Sequence, residues 1–192
     1  MTGDISGGAR DWRLRRALAA LYAGGVIACP TEAVWGLSCD PYDEHAVDYL
    51  LALKDRQREK GLILVAGDVC QFDLLLADLP AGQRKKLDMS WPGPNTWLVP
   101  HRGRVPVWIC GEHDSVAVRV TAHPLMASLC RAWGGPLVST SANPSGRRPP
   151  VAAFQVRRYF GDRLDHILPG AVGGSSRPSV IRDLATDHVI RA

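Results

Sequence analysis

Residues 115–120 read SVAVRV. Side chains alternate across a strand, so Val116, Val118 and Val120 form one face and Ser115, Ala117 and Arg119 the other. The valine face requires an apolar layer packed against it. The second face carries an arginine in mid-strand, and an unpaired buried charge costs several kcal/mol. Two arrangements meet that cost: an internal salt bridge, or a pocket in which Arg119 holds a carboxylate or phosphate in a bidentate fork.

The rest of the chain surrounds this strand with alternating helices and strands. On its C-terminal side Pro124 opens a helix to about Trp133, with Leu125, Leu129 and Trp133 along one side. PLVSTS (136–141) is a further strand, Val151 to Phe160 a helix, and short strands lie near Ile167 and near Val180–Ile181. On its N-terminal side, TWLVP (96–100) is a strand joined to it by a loop containing Pro106 and Gly111. GLILVAG (61–67) and VIAC (26–29) are buried strands, the latter stopped by Pro30. Leu14, Ala17, Leu18, Leu21 and Tyr22 recur at helical spacing until Gly24–Gly25. Asp43 caps a helix to about Asp55, with Val47, Leu50, Leu51 and Leu53 inward. Helical segments cover Phe72 to Leu79 and Pro80 to Met89. No repeat or linker interrupts this alternation. The expectation is one α/β domain over residues 10–192, a twisted, mixed open sheet flanked by helices, behind a flexible leader at 1–9.

Composition narrows the class. The 192 residues are 46% hydrophobic and 22% charged, an ordinary globular balance. No apolar run approaches the roughly 20 residues of a membrane helix, and the polar N-terminus lacks the apolar core of a signal peptide, so a soluble cytoplasmic protein is expected. The net charge of +4 favours an anionic ligand or partner. The five cysteines form no CxxC pair, and the six histidines have no metal-like spacing. The expectation is structural thiols and no metal site, with His45 and His113 on the surface.

Polar groups gather at several strand ends, where α/β sheets bind ligands. In LVSTSANPSG (137–146) an extended chain puts Ser139, Ser141 and Asn143 on one face and Val138 and Thr140 on the other. That row is either a ligand floor or local turn capping, the latter suited to Asn143-Pro144 and Ser145-Gly146. LKDRQREKG (53–61) sets Lys54, Arg56, Arg58 and Lys60 between a helix and a strand. The run is either a solvated basic loop or a phosphate clamp. No glycine-rich phosphate cradle is present. Thr31, just after a strand, is placed for a ligand-facing hydroxyl, while Trp35 either walls a pocket or fills the core. WPGPNTW (91–97) reads as a rigid structural turn. These residues describe an anion-binding α/β domain, either a nucleotide enzyme or an RNA-binding module.

Four stretches in order, PTEAVWGLSCDP, LKDRQREKGLILVA, WPGPNTWLVP with DSVAVRVTAHPL, and PLVSTSANPSG, resemble the TsaC/YrdC family of threonylcarbamoyl-AMP synthases. The resemblance runs from about residue 12 to the end and includes the family pairing of Lys54 and Arg56 with Ser141 and Asn143, the expected catalytic set. It is to the short, single-domain bacterial type. It implies a YrdC-like fold with a concave basic surface and a reaction of L-threonine, bicarbonate and ATP giving threonylcarbamoyl-adenylate and pyrophosphate. The product serves threonylcarbamoyladenosine modification of tRNA. By position, Thr31, Arg119, Ser139 and Ser179 correspond to threonine-binding residues. Lys54, Arg56, Lys60, Ser115, Ser141, Asn143 and Arg191 correspond to ATP-binding ones. The resemblance also implies Mg2+ with ATP, weak tRNA binding and downstream tRNA threonylcarbamoyl-transfer proteins as partners. Gln57 stands where many relatives have proline, implying a less rigid basic loop. Trp35 stands where tyrosine or phenylalanine is common, implying a narrower pocket wall.

Overall fold

The structure, a computed structural model, describes residues 12–175 and 179–191, so the leader expected at 1–9 lies outside the described residues. Helices and strands alternate as α1 (Trp12–Tyr22), β1 (Ile27–Pro30), β2 (Trp35–Ser38), α2 (Glu44–Lys54), β3 (Ile63–Ala66), α3 (Asp73–Leu76) and α4 (Ala81–Ser90). They continue as β4 (Asn95–Pro100), α5 (Val107–Cys110), β5 (Ser115–Val120), α6 (Pro124–Trp133), β6 (Leu137–Ser141), α7 (Ala153–Phe160), β7 (His166–Ile167), β8 (Val180–Asp183) and β9 (Val189–Arg191). The helix signals act as expected. Asp43 accepts from the Ala46 amide at 3.2 Å to cap α2, and Pro124 begins α6, which Gly134 ends in the left-handed region at φ 89.

The strands form one mixed sheet in the order β7-β1-β2-β6-β3-β5-β4-β8-β9. Its two faces are covered unequally. On β5, Val116, Val118 and Val120 join the larger core, where Val47 and Leu50 of α2, Leu87 of α4 and Val156 and Phe160 of α7 pack. On the opposite face, α1 and α6 cover only one part, burying Leu14, Leu21, Met126 and Leu129 against Ile27, Cys29, Val65 and Leu137. Ser139, Ile63, Ala117 and Leu98 are successive register partners across β6, β3, β5 and β4. They share the pleat of Val65 and Leu137 but lie beyond the reach of α1 and α6, and line an open cavity instead. The alternation in SVAVRV thus turns one face to the core and the other to the cavity, with Val116 bordering both.

Three short elements escaped sequence reading. β2 is buried on both faces, so its WGLS shows no alternation. α5 is a single turn between Pro106 and Gly111, and β9 is an exposed edge strand of three residues. WPGPNTW is a turn pinned by its tryptophans: Trp91 Nε1 donates to the Asn95 carbonyl at 2.8 Å and Trp97 Nε1 to Ser90 Oγ at 2.9 Å. It is not structural alone, because Pro94 borders the cavity. Trp35 is 1% exposed and belongs to the core, so it does not narrow the pocket wall. All five cysteines are free, and Cys70 alone is exposed. Burial pushes the Cys29 thiol up to about 11, keeping it a protonated small hydrophobe.

Candidate active site

The cavity has a volume of about 530 Å³, within the usual range for a small-molecule site. All eleven residues singled out in the sequence line it: Thr31, Lys54, Arg56, Lys60, Ser115, Arg119, Ser139, Ser141, Asn143, Ser179 and Arg191. Its described lining therefore has Lys54, Arg56, Lys60, Arg119 and Arg191 as cations, with Glu32 as the one carboxylate. Arg58, from the same basic run as Lys54, points elsewhere and pairs with Glu44 at 2.9 Å and with Asp48. His113 is exposed as expected, yet it too borders the cavity.

At one end, Thr31 follows β1 and donates its hydroxyl to the Val34 carbonyl at 2.7 Å, which leaves the oxygen lone pairs free to accept. Gly36 of β2 lies beneath it. A Cβ there would stand 3.3 Å from the Thr140 carbonyl and 3.4 Å from Thr31 Cγ2, so a side chain would crowd the floor. Ser139 is 7% exposed and faces the same end. Of the two arrangements foreseen for Arg119, the internal salt bridge is present, in a residue that also borders the cavity. Its Nη1 donates to Glu32 Oε2 at 2.8 Å in a buried ion pair, while the residue still lines the cavity and its Nε has no partner. Burial alone would raise the Glu32 pKa, but Arg119, the Thr121 hydroxyl and backbone amides hold it below its ordinary value.

The other end is cationic. Lys54, the last residue of α2, is 5% exposed and donates its ammonium to the carbonyls of Ser141 and of Asn143, the latter at 2.8 Å. The Ser145 amide donates back to the Lys54 carbonyl at 2.7 Å. Lys54 therefore shapes the turn after β6, with one ammonium hydrogen to spare. The row expected for Ser139, Ser141 and Asn143 is broken at that turn. β6 ends at Ser141, and Asn143 sits beyond it with Nδ2 donating to the Pro144 and Arg147 carbonyls at 3.0 and 2.7 Å. Asn143 Oδ1 is buried without a partner. Thr140, expected on the far face, also borders the cavity at this strand end. Arg56 donates Nη2 to the Gly61 carbonyl at 2.8 Å, and its Nε is buried unpaired. Arg191 donates to the Ser179 carbonyl at 3.2 Å, and Thr96 donates to the Ser179 hydroxyl at 2.8 Å.

Burial, and then Arg56, push the Lys54 pKa down to about 8. Arg56 is lowered by burial and then by Arg191, and Arg191 by burial and then by Arg119. An anion among these cations relieves both causes. A pH dependence follows. Below about pH 8 Lys54 is charged and the affinity of the cavity for an anion should be flat; above it the ammonium is lost. The apparent Kd for a polyanion such as a nucleotide should then rise by up to about tenfold per pH unit. Equilibrium titration checks this, and in Lys54→Met the rise should be absent. For folding, the native pKa lies below that of the unfolded chain. The burial penalty is therefore complete below about pH 8 and relieved as pH rises from there toward the unfolded value.

Fold and cavity together define an α/β ligand-binding domain whose pocket joins a carboxylate-sized fork to a cluster of cations. The family profile Sua5_yciO_yrdC, described as "Telomere recombination", matches residues 19–192. A protein of Stutzerimonas stutzeri (strain A1501) named threonylcarbamoyl-AMP synthase is 60% identical over 181 residues, 94% of this chain and 97% of that protein. A protein of the same name from Pseudomonas aeruginosa (strain UCBPP-PA14) is 58% identical over the same shares. The crystal structure of P. abyssi Sua5 complexed with L-threonine superposes with a TM-score of 0.84 at 32% identity. It covers 91% of this chain, whereas this chain spans 51% of it. The chain belongs to the Sua5/YciO/YrdC family.

Proposed function

We propose that this chain makes threonylcarbamoyl-AMP and pyrophosphate from L-threonine, bicarbonate or CO2, and ATP, for threonylcarbamoyladenosine modification of tRNA in the cytoplasm. The observation that carries the reading is the union of a buried Arg119 fork and the Lys54–Arg56–Lys60–Arg191 cluster in one cavity. The names of its full-length relatives support it.

Arg119 takes the threonine carboxylate, Thr31 and Ser139 accept from its amine and hydroxyl, and Ser179 is assigned to the amino acid with them. The neutral amine forms a C–N bond with CO2 and releases a proton, giving a carbamate. A carbamate oxygen attacks the α-phosphorus, the Pα–O bond to the β-phosphate breaks, and pyrophosphate leaves. Negative charge develops on phosphoryl oxygens throughout. The role of Lys54, Arg56, Lys60 and Arg191 is accordingly positioning and electrostatic stabilisation. Ser115 and Ser141 bind the nucleotide with them. Asn143 Oδ1, a buried acceptor without a donor, suits a ribose hydroxyl or the adenine amine.

No group of three or more His, Cys, Asp or Glu among the described residues is placed to hold a metal ion. Glu32, the one carboxylate of the described lining, already accepts from Arg119, Thr121 and Ala122. These residues do not make a resident metal site, and Mg2+ is assigned to the ATP complex as it arrives. The adenylate passes to downstream tRNA threonylcarbamoyl-transfer proteins. No helix among the described residues is long and apolar enough to cross a membrane.

Pyrophosphate release should require threonine and bicarbonate together. Equal ATP turnover with serine, or without an amino acid, defeats the threonine assignment. RNA binding that weakens steeply with salt and survives loss of Ser141 and Asn143, without turnover, marks an RNA-binding module instead.

A further inference from the structure

Glu32 has no part in the chemistry above, yet its side chain is fixed from three sides. Oε2 accepts from Arg119 Nη1 at 2.8 Å, and Oε1 accepts from the Thr121 hydroxyl at 2.7 Å and the Ala122 amide at 3.0 Å. Its backbone is held as firmly. The Glu32 carbonyl accepts from the Ser175 amide at 3.1 Å. Gly173 approaches so closely that a Cβ there would stand 2.8 Å from that carbonyl oxygen. Arg119 donates to this well-held carboxylate through Nη1, while its Nε remains buried and unpaired. A buried arginine donor without an acceptor is costly to leave empty, and the residue lines the cavity.

We propose that Glu32 is a positioning and specificity residue, holding Arg119 by Nη1 so that its Nε side receives the amino-acid carboxylate and not the phosphates of the nucleotide. The inference rests on the proposed synthase reaction and deepens it. Its selectivity argument is electrostatic. Arg119 shares one cavity with Lys54, Arg56 and Arg191, and a bare guanidinium there would add to the field that attracts a triphosphate. Paired with Glu32 it is locally neutral. It then keeps directional donors for a planar monoanion but offers little net attraction to a polyanion.

Glu32→Gln tests this, because glutamine can still accept from Thr121 and Ala122 but no longer neutralises Arg119. Pyrophosphate release is measured well below the melting temperature, with threonine and ATP varied separately. The threonine KM should rise about tenfold or more, the loss of one charge-assisted hydrogen bond, while kcat at saturating threonine changes by less than about threefold. ATP should become a competitive inhibitor against threonine, and Glu32→Asp should recover part of the threonine affinity without that inhibition. A threonine KM unchanged in Glu32→Gln, or KM values for threonine and ATP that rise together as in a loosened fold, overturns the proposal. An unchanged threonine KM in Arg119→Gln overturns it too, while threonine-dependent release by the unaltered chain upholds the reaction. If the unaltered chain shows no such release, the reaction and the role of Glu32 fall together.

Discussion

Lys54→Ala is expected to lower pyrophosphate release at least about a hundredfold while moving the melting temperature by only a few degrees. The rate loss has two sources. The ammonium is the most buried cation in the described lining of the cavity, and removing one preorganised charge-stabilising donor typically costs about 10²–10³ in kcat. It also shapes the turn that carries Asn143, since it donates to the carbonyls on both sides of Ala142. The stability terms oppose each other. The Ser141 and Asn143 carbonyls lose a charged donor, but the former keeps the Asn143 amide at 2.9 Å, so the cost is about 1–3 kcal/mol for the one left unsatisfied. Against that, the pKa pushed down to about 8 by burial and then by Arg56 means that folding bears a cost of about 3 kcal/mol near neutral pH for keeping the ammonium charged, which the alanine abolishes. The near cancellation separates catalytic loss from unfolding. Turnover assays beside thermal melts decide it, and activity within about tenfold of the unaltered chain would remove Lys54 from the catalytic set.

The strand SVAVRV turns its valines to the core and Ser115, Ala117 and Arg119 to the cavity, with Val116 bordering both, because sidedness is local to a strand. Helix α6 starts at Pro124 and ends before Gly134 because both stops are written into adjacent residues. Glu32 was not legible as the partner of Arg119. The two stand 87 residues apart, and three strands separate β1 from β5 in the sheet, so it is the loop after β1 that carries Glu32 to Arg119. The basic run was legible as a cluster but not in its division of labour. Arg58 has carboxylates of α2 in reach, at Glu44 and Asp48, whereas Lys54 ends that helix facing the turn after β6. The row of polar groups at 139–143 failed at Asn143 for a related reason. Alternation holds only while the backbone stays extended, and the pull of Lys54 on two carbonyls marks where it stops.

The same buried pair should dominate the stability of this end of the sheet. Arg119→Ala leaves the Glu32 carboxylate buried with only neutral donors, and Glu32→Ala leaves a buried guanidinium beside other cations. Each should cost about 3–5 kcal/mol, as for buried pairs broken from one side. The ion pair is 8% and 10% exposed in its side chains, so solvent screening does little to soften that cost. The double variant removes both charges and with them both uncompensated desolvation terms. Its loss of stability should therefore be nearer to one single substitution than to the sum of two, a coupling of at least about 2 kcal/mol. Urea denaturation of the four proteins measures this, and additive losses would mean that the pair contributes little as a pair. Stability and function must then part company. The double variant should be about as stable as either single variant, yet on the proposed reaction it has no guanidinium for a threonine carboxylate, so its threonine KM should be no better than that of Arg119→Ala. On the proposed reaction, a fold that bears the desolvation of two buried charges retains the arginine for its ligand and the glutamate for the arginine.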